Sequence, residues 1–341
     1  MSLSVKYLLD FTPKAGEFLE VVEGIYLLRM PLPMQLDHIN LWLLRDHDDW
    51  VLVDTGLFFP ESVAVWEKIA CDLIAPGQLK RIVATHFHPD HIGMAGWLAD
   101  TWGAELIMTR GEWLQGRLRQ LDVTPETQAS EVDFFVKAGL FKRDDPQNKT
   151  YASRYQDQTS AIPRVFRRIE SGDTIEINGE DWEVITGGGH SPEHACLYSN
   201  KRDILISGDQ LLPRITSIIS VFGAEPDSNP LSVYYASLKN LRQLPEDTIV
   251  LPAHGLPFER LRERVDYILA HHDERLELLI NNLESGKRAV DLLGTLFDRE
   301  LDFFQSTFAT GETIAHLNYL IHQGQVMREE NEKGEWVYTR T

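Results

Sequence analysis

The sequence of 341 residues has little cysteine, a deficit of positive charge and no long apolar run. Its two cysteines, Cys71 and Cys196, lie far apart. That argues against a secreted disulfide scaffold and fits a reducing cytoplasm. No window approaches the roughly 20 apolar residues that a membrane-spanning helix needs. The opening MSLSVKYLLDFTPKAGE is apolar only briefly before Asp10 and Pro13 interrupt it, so no secretory signal is expected. Lys and Arg number 33 against 52 Asp and Glu, a formal charge of −19. Such a surface repels polyanions, which disfavours nucleic acid and acidic membrane faces as partners. What is there, 43% apolar and 25% charged residues, is the balance of a soluble globular protein long enough for more than one core.

Short segments rich in Val, Ile, Leu and Trp at 21–29, 39–45 and 50–53 predict strands, with a turn at Asp46-His47-Asp48-Asp49. A helix is expected over 61–74, a buried strand at 80–85, a helix at 92–101 and a strand at 104–108. This alternation argues for layered α/β architecture. Residues 111–168 break the rhythm with helical patches at 112–121 and 126–139 and a loop at 142–160. The segment is slightly basic, with ten Lys and Arg against eight Asp and Glu. Strands return at 173–177, 181–186, 195–198, 203–207 and 248–251, with hairpin signals at Asn178-Gly179 and Asn200-Lys201. An apolar stripe from Leu261 to Leu279 predicts a helix from Phe258 to about Leu283. Beyond Lys287, helices at 287–297 and 311–323 precede strands at 325–329 and 335–339. Helices followed by a hairpin read as a winged-helix-like module.

The chemistry concentrates in His86-x-His88-x-Asp90-His91, four potential metal ligands in six residues. Pro89 argues against a helix at this point. A tight loop after the strand lets His86 and His88 converge on one ion, and Asp90 with His91 on a neighbour. Imidazoles and carboxylates suit Zn²⁺ and related divalent metals. Three more ligand types stand at strand ends, where an α/β sheet opens its crevice. These are His190 in Gly187-Gly188-Gly189-His190, Asp209 in Ser207-Gly208-Asp209, and His254 in Pro252-Ala253-His254-Gly255. The glycines before His190 let backbone approach closely.

THFHPDH, these later ligands and the early Asp54-Thr55-Gly56 resemble the metallo-β-lactamase-fold superfamily over roughly residues 20–257. The resemblance implies an αββα sandwich as a catalytic domain over 1–257, with 111–168 as a helical insertion or lid. The C-terminal helix and winged-helix-like unit would occupy 258–341. His86, His88 and His190 would bind one metal ion, and Asp90, His91 and His254 the second. Asp209 would bridge them, and Asp54 would orient a ligand histidine through its free ring N–H. The cofactor implied is a pair of divalent ions, Zn²⁺ first, with Fe or Mn as alternatives. Two ions bring four positive charges and the carboxylates offset half. The remainder would hold a bridging hydroxide, because metal-bound water ionises near a pKa of about 7. Asp90 would orient that nucleophile and shuttle a proton as the catalytic residue.

The remaining histidines are expected to play other parts. His194 should support the site rather than bind metal; His38, His47, His271, His272, His316 and His322 read as ordinary. Glu193 stands where the family often has glycine or a similar residue.

Fold does not settle substrate. His88 occupies a position where the flavodiiron branch has glutamate, which favours hydrolysis over redox chemistry. The carboxylate pair Asp90 and Asp209 is closer to glyoxalase II, lactonases and nucleases than to true β-lactamases. The tail resembles one found in a branch with an animal endoribonuclease. Yet residues 287–341 hold six Lys and Arg against nine Asp and Glu, without a nucleic-acid footprint. The tail is expected instead to pack on the catalytic domain or on a second copy in a homodimer. In the insertion, Trp113, Phe134, Phe135, Phe141, Tyr151 and Tyr155 would line an acyl pocket. Arg117, Lys142, Arg143, Arg154, Arg164, Arg167 and Arg168 would meet an anionic tail such as that of coenzyme A. The reading is a dinuclear zinc hydrolase of a small-molecule thioester or ester. Lactonase, endoribonuclease, ligand sensor and mononuclear iron dioxygenase stand as alternatives.

Overall fold

Alternating apolar residues build the sheets. A computed structural model describes residues 5–72, 74–75, 77–143, 145, 148 and 155–341. The strands are β1 (Lys6–Tyr7), β2 (Phe18–Val22), β3 (Ile25–Pro31), β4 (His38–Asp46), β5 (Asp49–Val53), β6 (Leu79–Val83), β7 (Glu105–Thr109) and β8 (Arg167–Ile169). They continue as β9 (Thr174–Ile177), β10 (Glu180–Gly187), β11 (His194–Ser199), β12 (Ile204–Gly208), β13 (Ile249–Pro252) and β14 (Phe258–Glu259), with β15 (Val326–Glu330) and β16 (Trp336–Arg340) in the tail. One sheet runs β2-β3-β4-β5-β6-β7-β8 and the other β1-β14-β13-β12-β11-β10-β9. Strands β5 to β8 are parallel neighbours, as are β12 and β13.

Inward residues of both sheets form one cluster, with Leu27, Trp42, Val53 and Val83 facing Ile175, Trp182, Leu197 and Ile206. Helices cover both outer faces. α1 (Pro60–Asp72), α2 (Pro89–Ile92), α3 (Ala95–Trp102) and α4 (Arg110–Leu121) belong with the first sheet. There Trp66, Leu98 and Trp102 pack over Leu41, Leu52 and Ile82. α5 (Pro125–Lys137), α6 (Pro230–Leu241), α7 (Leu261–Asn281), α8 (Leu293–Leu296) and α9 (Phe303–His322) cover the other sheet. Phe134, Tyr234, Ile268, Leu317 and Trp336 share that cluster, so the tail packs into the same core as the sandwich. This is the αββα sandwich expected from the sequence.

Local chemistry explains several boundaries. Asn178 and Gly179 sit at φ 53° and 71°, the two-residue hairpin turn that an Asn-Gly pair favours. The stretch 21–29, expected as one strand, divides into β2 and β3 around Gly24 at φ 72°. The stripe expected from Phe258 forms α7 only from Leu261, after the short β14. α6 escapes the sequence reading, although Asn229 caps it by accepting from the Ser232 amide at 3.2 Å. α9 begins eight residues before its expected start because Asp302 and Gln305 form a reciprocal capping box. The helix expected at 287–297 is a 3-10 turn at Ala289–Leu292 and the short α8. No described helix is long and apolar enough to cross a membrane.

The segment 111–168 is helical as expected, but its end, Arg167–Ile169, is a sheet strand. Most of its described aromatics face the protein core rather than an acyl pocket. Phe134, Phe135, Phe141 and Tyr155 are buried in the cores, and Trp113 stacks on Phe166. Three of the cations expected to meet an anionic tail have partners. Arg117 donates to the Ile162 carbonyl, Arg143 pairs with Asp133 and Arg168 with Glu170. Tyr151 and Arg154 lie outside the described residues.

Candidate metal centre

Five strand ends deliver the acidic and imidazole side chains to one edge of the sandwich. β5 runs into Asp54, β6 into His86, β10 into His190, β12 into Asp209 and β13 into His254. Between them, Pro89 occupies the first position of the one-turn helix α2 rather than excluding a helix. The N–H that proline lacks would be unpaired there in any case. The turn brings Asp90 and His91 beside His86 and His88, with the His91 ring 3.9 Å from that of His86.

Overlapping groups of ligand atoms result, with His86, His91 and Asp209 joining two outer sets. His86, His88 and His190 place ligand atoms within 4.8 Å of one another, and so do Asp90, His91 and His254. In the first, His86 Nε2 lies 2.8 Å from His88 Nδ1 and 3.2 Å from His190 Nε2. In the second, Asp90 Oδ2 lies 3.6 Å from His91 Nε2 and 3.4 Å from His254 Nε2. Asp209 spans both. Its Oδ1 is 3.3 Å from His254 Nε2 and its Oδ2 is 3.4 Å from His190 Nε2.

The far nitrogens of four ligands have neighbours, His86 Nδ1 meeting the Thr85 hydroxyl at 3.0 Å. His91 Nδ1 faces Asp54 Oδ2 at 2.8 Å, His190 Nδ1 donates to the Ile218 carbonyl at 2.8 Å, and His254 Nδ1 to the His38 carbonyl at 2.8 Å. Each leaves an Nε2 lone pair aimed inward. His91 Nε2 and Asp209 Oδ1 are buried without a hydrogen-bond partner among the described residues. Buried polar atoms carry a desolvation cost unless paired. A divalent cation between these donors satisfies both, so the residues fit a metal.

A family model described as "Metallo-beta-lactamase superfamily" matches residues 34–254, and a second, "Metallo-beta-lactamase-like, C-terminal domain", matches residues 276–341. The chain belongs to the metallo-beta-lactamase superfamily. It is 25% identical to "Probable metallo-hydrolase YqjP" of Bacillus subtilis, over 87% of this chain and 92% of that one. It is 22% identical to "Atrochrysone carboxyl ACP thioesterase" of Aspergillus fumigatus, over 80% and 69%. The crystal structure of a "Beta-lactamase domain protein" from Burkholderia ambifaria superposes with a TM-score of 0.90 at 40% identity, over 99% of this chain and 98% of that one. This protein is a metallo-hydrolase of that superfamily.

Electrostatics separate the two halves of the metallo-hydrolase site. Burial pushes His86 far below the usual imidazole value, and the neighbouring His91, His88 and His194 add to the fall. Burial likewise takes His88 down to about 3. These rings stay neutral, the form that donates a lone pair to metal. Burial also opposes charge on His91, but Asp54, Asp90 and Asp209 outweigh it and hold the ring well above its ordinary value. Burial opposes ionisation of Asp90 as well, yet His91 and His254 bring it down to about 2. The carboxylates of the second half thus favour a cation among them.

Three supports become visible only in three dimensions. His194 accepts the Asp209 amide at 3.1 Å and stacks on His86 at 4.8 Å, a supporting part as expected. Gly208 has φ 49°, and a Cβ there would meet the His194 ring at 2.6 Å, so only glycine fits before Asp209. His38 is not the ordinary histidine expected. Besides its carbonyl bond to His254, its Nε2 accepts the Gly255 amide at 2.9 Å. No local signal marks this part, since His254 and Gly255 lie more than 200 positions away.

Proposed function

We propose that this metallo-hydrolase cleaves a thioester or a related small ester with two divalent ions, zinc in the first place. The observation that carries the reading is the Asp209 carboxylate, with one oxygen turned to each ligand group. His86, His88 and His190 would hold the first ion, and Asp90, His91 and His254 the second. When bound, such ions supply a nucleophilic water at neutral pH and polarise the carbonyl. Asp90 is the more exposed of the two carboxylates, with 20% of its side chain accessible against 11% for Asp209. It is the group of this chain that exchanges a proton with the reacting molecules.

Two observations support an acyl substrate. Ile215 and Ile218 are exposed on the loop that follows Asp209, and the Ile218 backbone holds His190. An apolar acyl group can rest there next to the ligands. The Aspergillus relative bears the name of a thioesterase. Of the cations suggested for an anionic tail such as that of coenzyme A, Arg117, Arg143 and Arg168 are engaged elsewhere, while Lys142, Arg164 and Arg167 are exposed.

Elemental analysis of purified protein, combined with a panel of thioesters, lactones, phosphodiesters and lactams, tests the proposal. Two zinc ions per chain and preferred turnover of thioesters are expected. One bound iron, or turnover confined to phosphodiesters or lactams, would overturn it.

A further inference from the structure

Helix α4 carries a buried carboxylate between the two loops that bear the first ligand group. Glu112 is fully buried. Its Oε2 accepts from the Phe87 amide at 2.9 Å, between His86 and His88. Its Oε1 accepts from the Ser191 hydroxyl at 2.7 Å and the Glu193 amide at 2.6 Å, just beyond His190. One loop leaves β6 of the first sheet and the other leaves β10 of the second. The Glu112 carboxylate ties them across the sandwich.

Neighbouring bonds stiffen the tie. The Glu193 side chain accepts the Gly111 amide at 2.7 Å, and the Glu193 carbonyl accepts the Thr109 hydroxyl at 2.8 Å. On the other side, the Tyr155 hydroxyl donates to the Phe87 carbonyl at 2.6 Å. Phe87 is therefore held through both its N–H and its C=O. Burying a carboxylate is costly unless several donors compensate it, and an apolar residue on α4 could fill the space without that cost. Burial raises Glu112 to about 7, against the bonds from Ser191, Glu193 and Phe87.

We propose that Glu112 is a positioning residue for the first metal ion, fixing His86 and His88 at a set distance from His190. The inference rests on the dinuclear reading above. It predicts a selective defect, because the second ligand group has separate supports in Asp54 and in the His38 carbonyl.

The test is zinc titration of the full-length protein against a chromogenic chelator, with the melting temperature of the metal-free protein as a second readout. Glu112→Gln keeps the shape but sets an NH₂ group against one of its donors. It is expected to retain one ion at wild-type affinity and to hold the other about 10- to 100-fold more weakly. The metal-free melting temperature should move by only a few degrees. Ser191→Ala removes one of the three bonds and should give a smaller selective loss, which keeps the test open if the glutamine variant fails to fold. Both ions held as in wild type, or both lost equally while Ser191→Ala shows no selective effect, would overturn the positioning role. A wild-type protein that takes up no zinc, manganese or iron would overturn the dinuclear reading, and the role of Glu112 with it.

Discussion

The Asp54 carboxylate faces Nδ1 of His91 at 2.8 Å, while Thr85 donates its amide and hydroxyl to the same carboxylate at 2.8 and 2.9 Å. Asp54 adopts φ 62°, a conformation L-residues seldom take, to turn back toward His91. Such outer partners tune metal affinity by fixing ring orientation. Asp54→Ala should weaken one zinc ion about 10- to 100-fold and spare the other, as read by chelator competition. Equal weakening of both ions would contradict the pairing.

The two ligand groups predict their own loss of function. His88→Ala and Asp209→Ala should each lower kcat by on the order of 10³ or more, since the chemistry depends on the ions. Bound metal should fall in both variants while far-ultraviolet circular dichroism stays that of the folded chain. Chelation should silence the wild-type enzyme and added zinc restore it. Full activity in either variant rejects the ligand assignment.

Gly208→Ala tests how tightly Asp209 is placed. The new methyl group meets a His194 ring held by the Asp209 amide and the His86 stack. Left-handed backbone and overpacking together should cost about 2–4 kcal/mol. Denaturant unfolding reads that loss, and turnover should fall with it. An unchanged midpoint would show that the ring moves freely.

The tail and the insertion meet through Trp336 and Phe134, whose rings lie 5.7 Å apart at 75°. Both are buried in one core. Trp336→Ala should remove about 3–5 kcal/mol from the whole unfolding transition. A separate early transition for the tail, with the rest unaffected, would mean that the two units fold apart.

A pH effect follows from two histidines far from the ligands. His316 Nδ1 donates to the Glu312 carbonyl at 2.8 Å, so its Nε2 accepts from His272 Nδ1 at 3.0 Å, and both rings are neutral. Burial, with the neighbouring imidazole, lowers His272 to about 2; burial takes His316 to about 3. The unfolded chain takes up these protons near pH 6.5, and the folded chain does not. Stability is therefore complete above that pH. It falls by about 1.4 kcal/mol per unit per ring as pH drops toward the folded values. His272→Phe should make stability of the metal-free protein less steep between pH 6.5 and 5. Parallel curves for wild type and variant would refute the linkage.

Much of this was legible along the chain because the signals are local. Asn178-Gly179 demands a tight turn, and the strands on either side alternate apolar and polar residues. HFHPDH crowds ligand types into six positions that a core has no use for. Where the reading failed, the deciding contact was distant. The aromatics of 111–168 have helical spacing whether they face a substrate or a core. Only their burial against residues 200 positions further on distinguishes the two. Glu112 looks like an acidic residue in a first helical turn until α4 docks between two loops.

The order of residues alone determined the layered α/β class, the turns and the identity of the ligand-bearing loops, because each depends on backbone preference and periodicity within a few positions. The tertiary structure alone decided which oxygen of Asp209 faces which imidazole, which carbonyl holds which ring, and that Glu112 joins two sheets. Those relations are distances between segments far apart in the chain, and they are set by how two sheets and their helices close over shared cores.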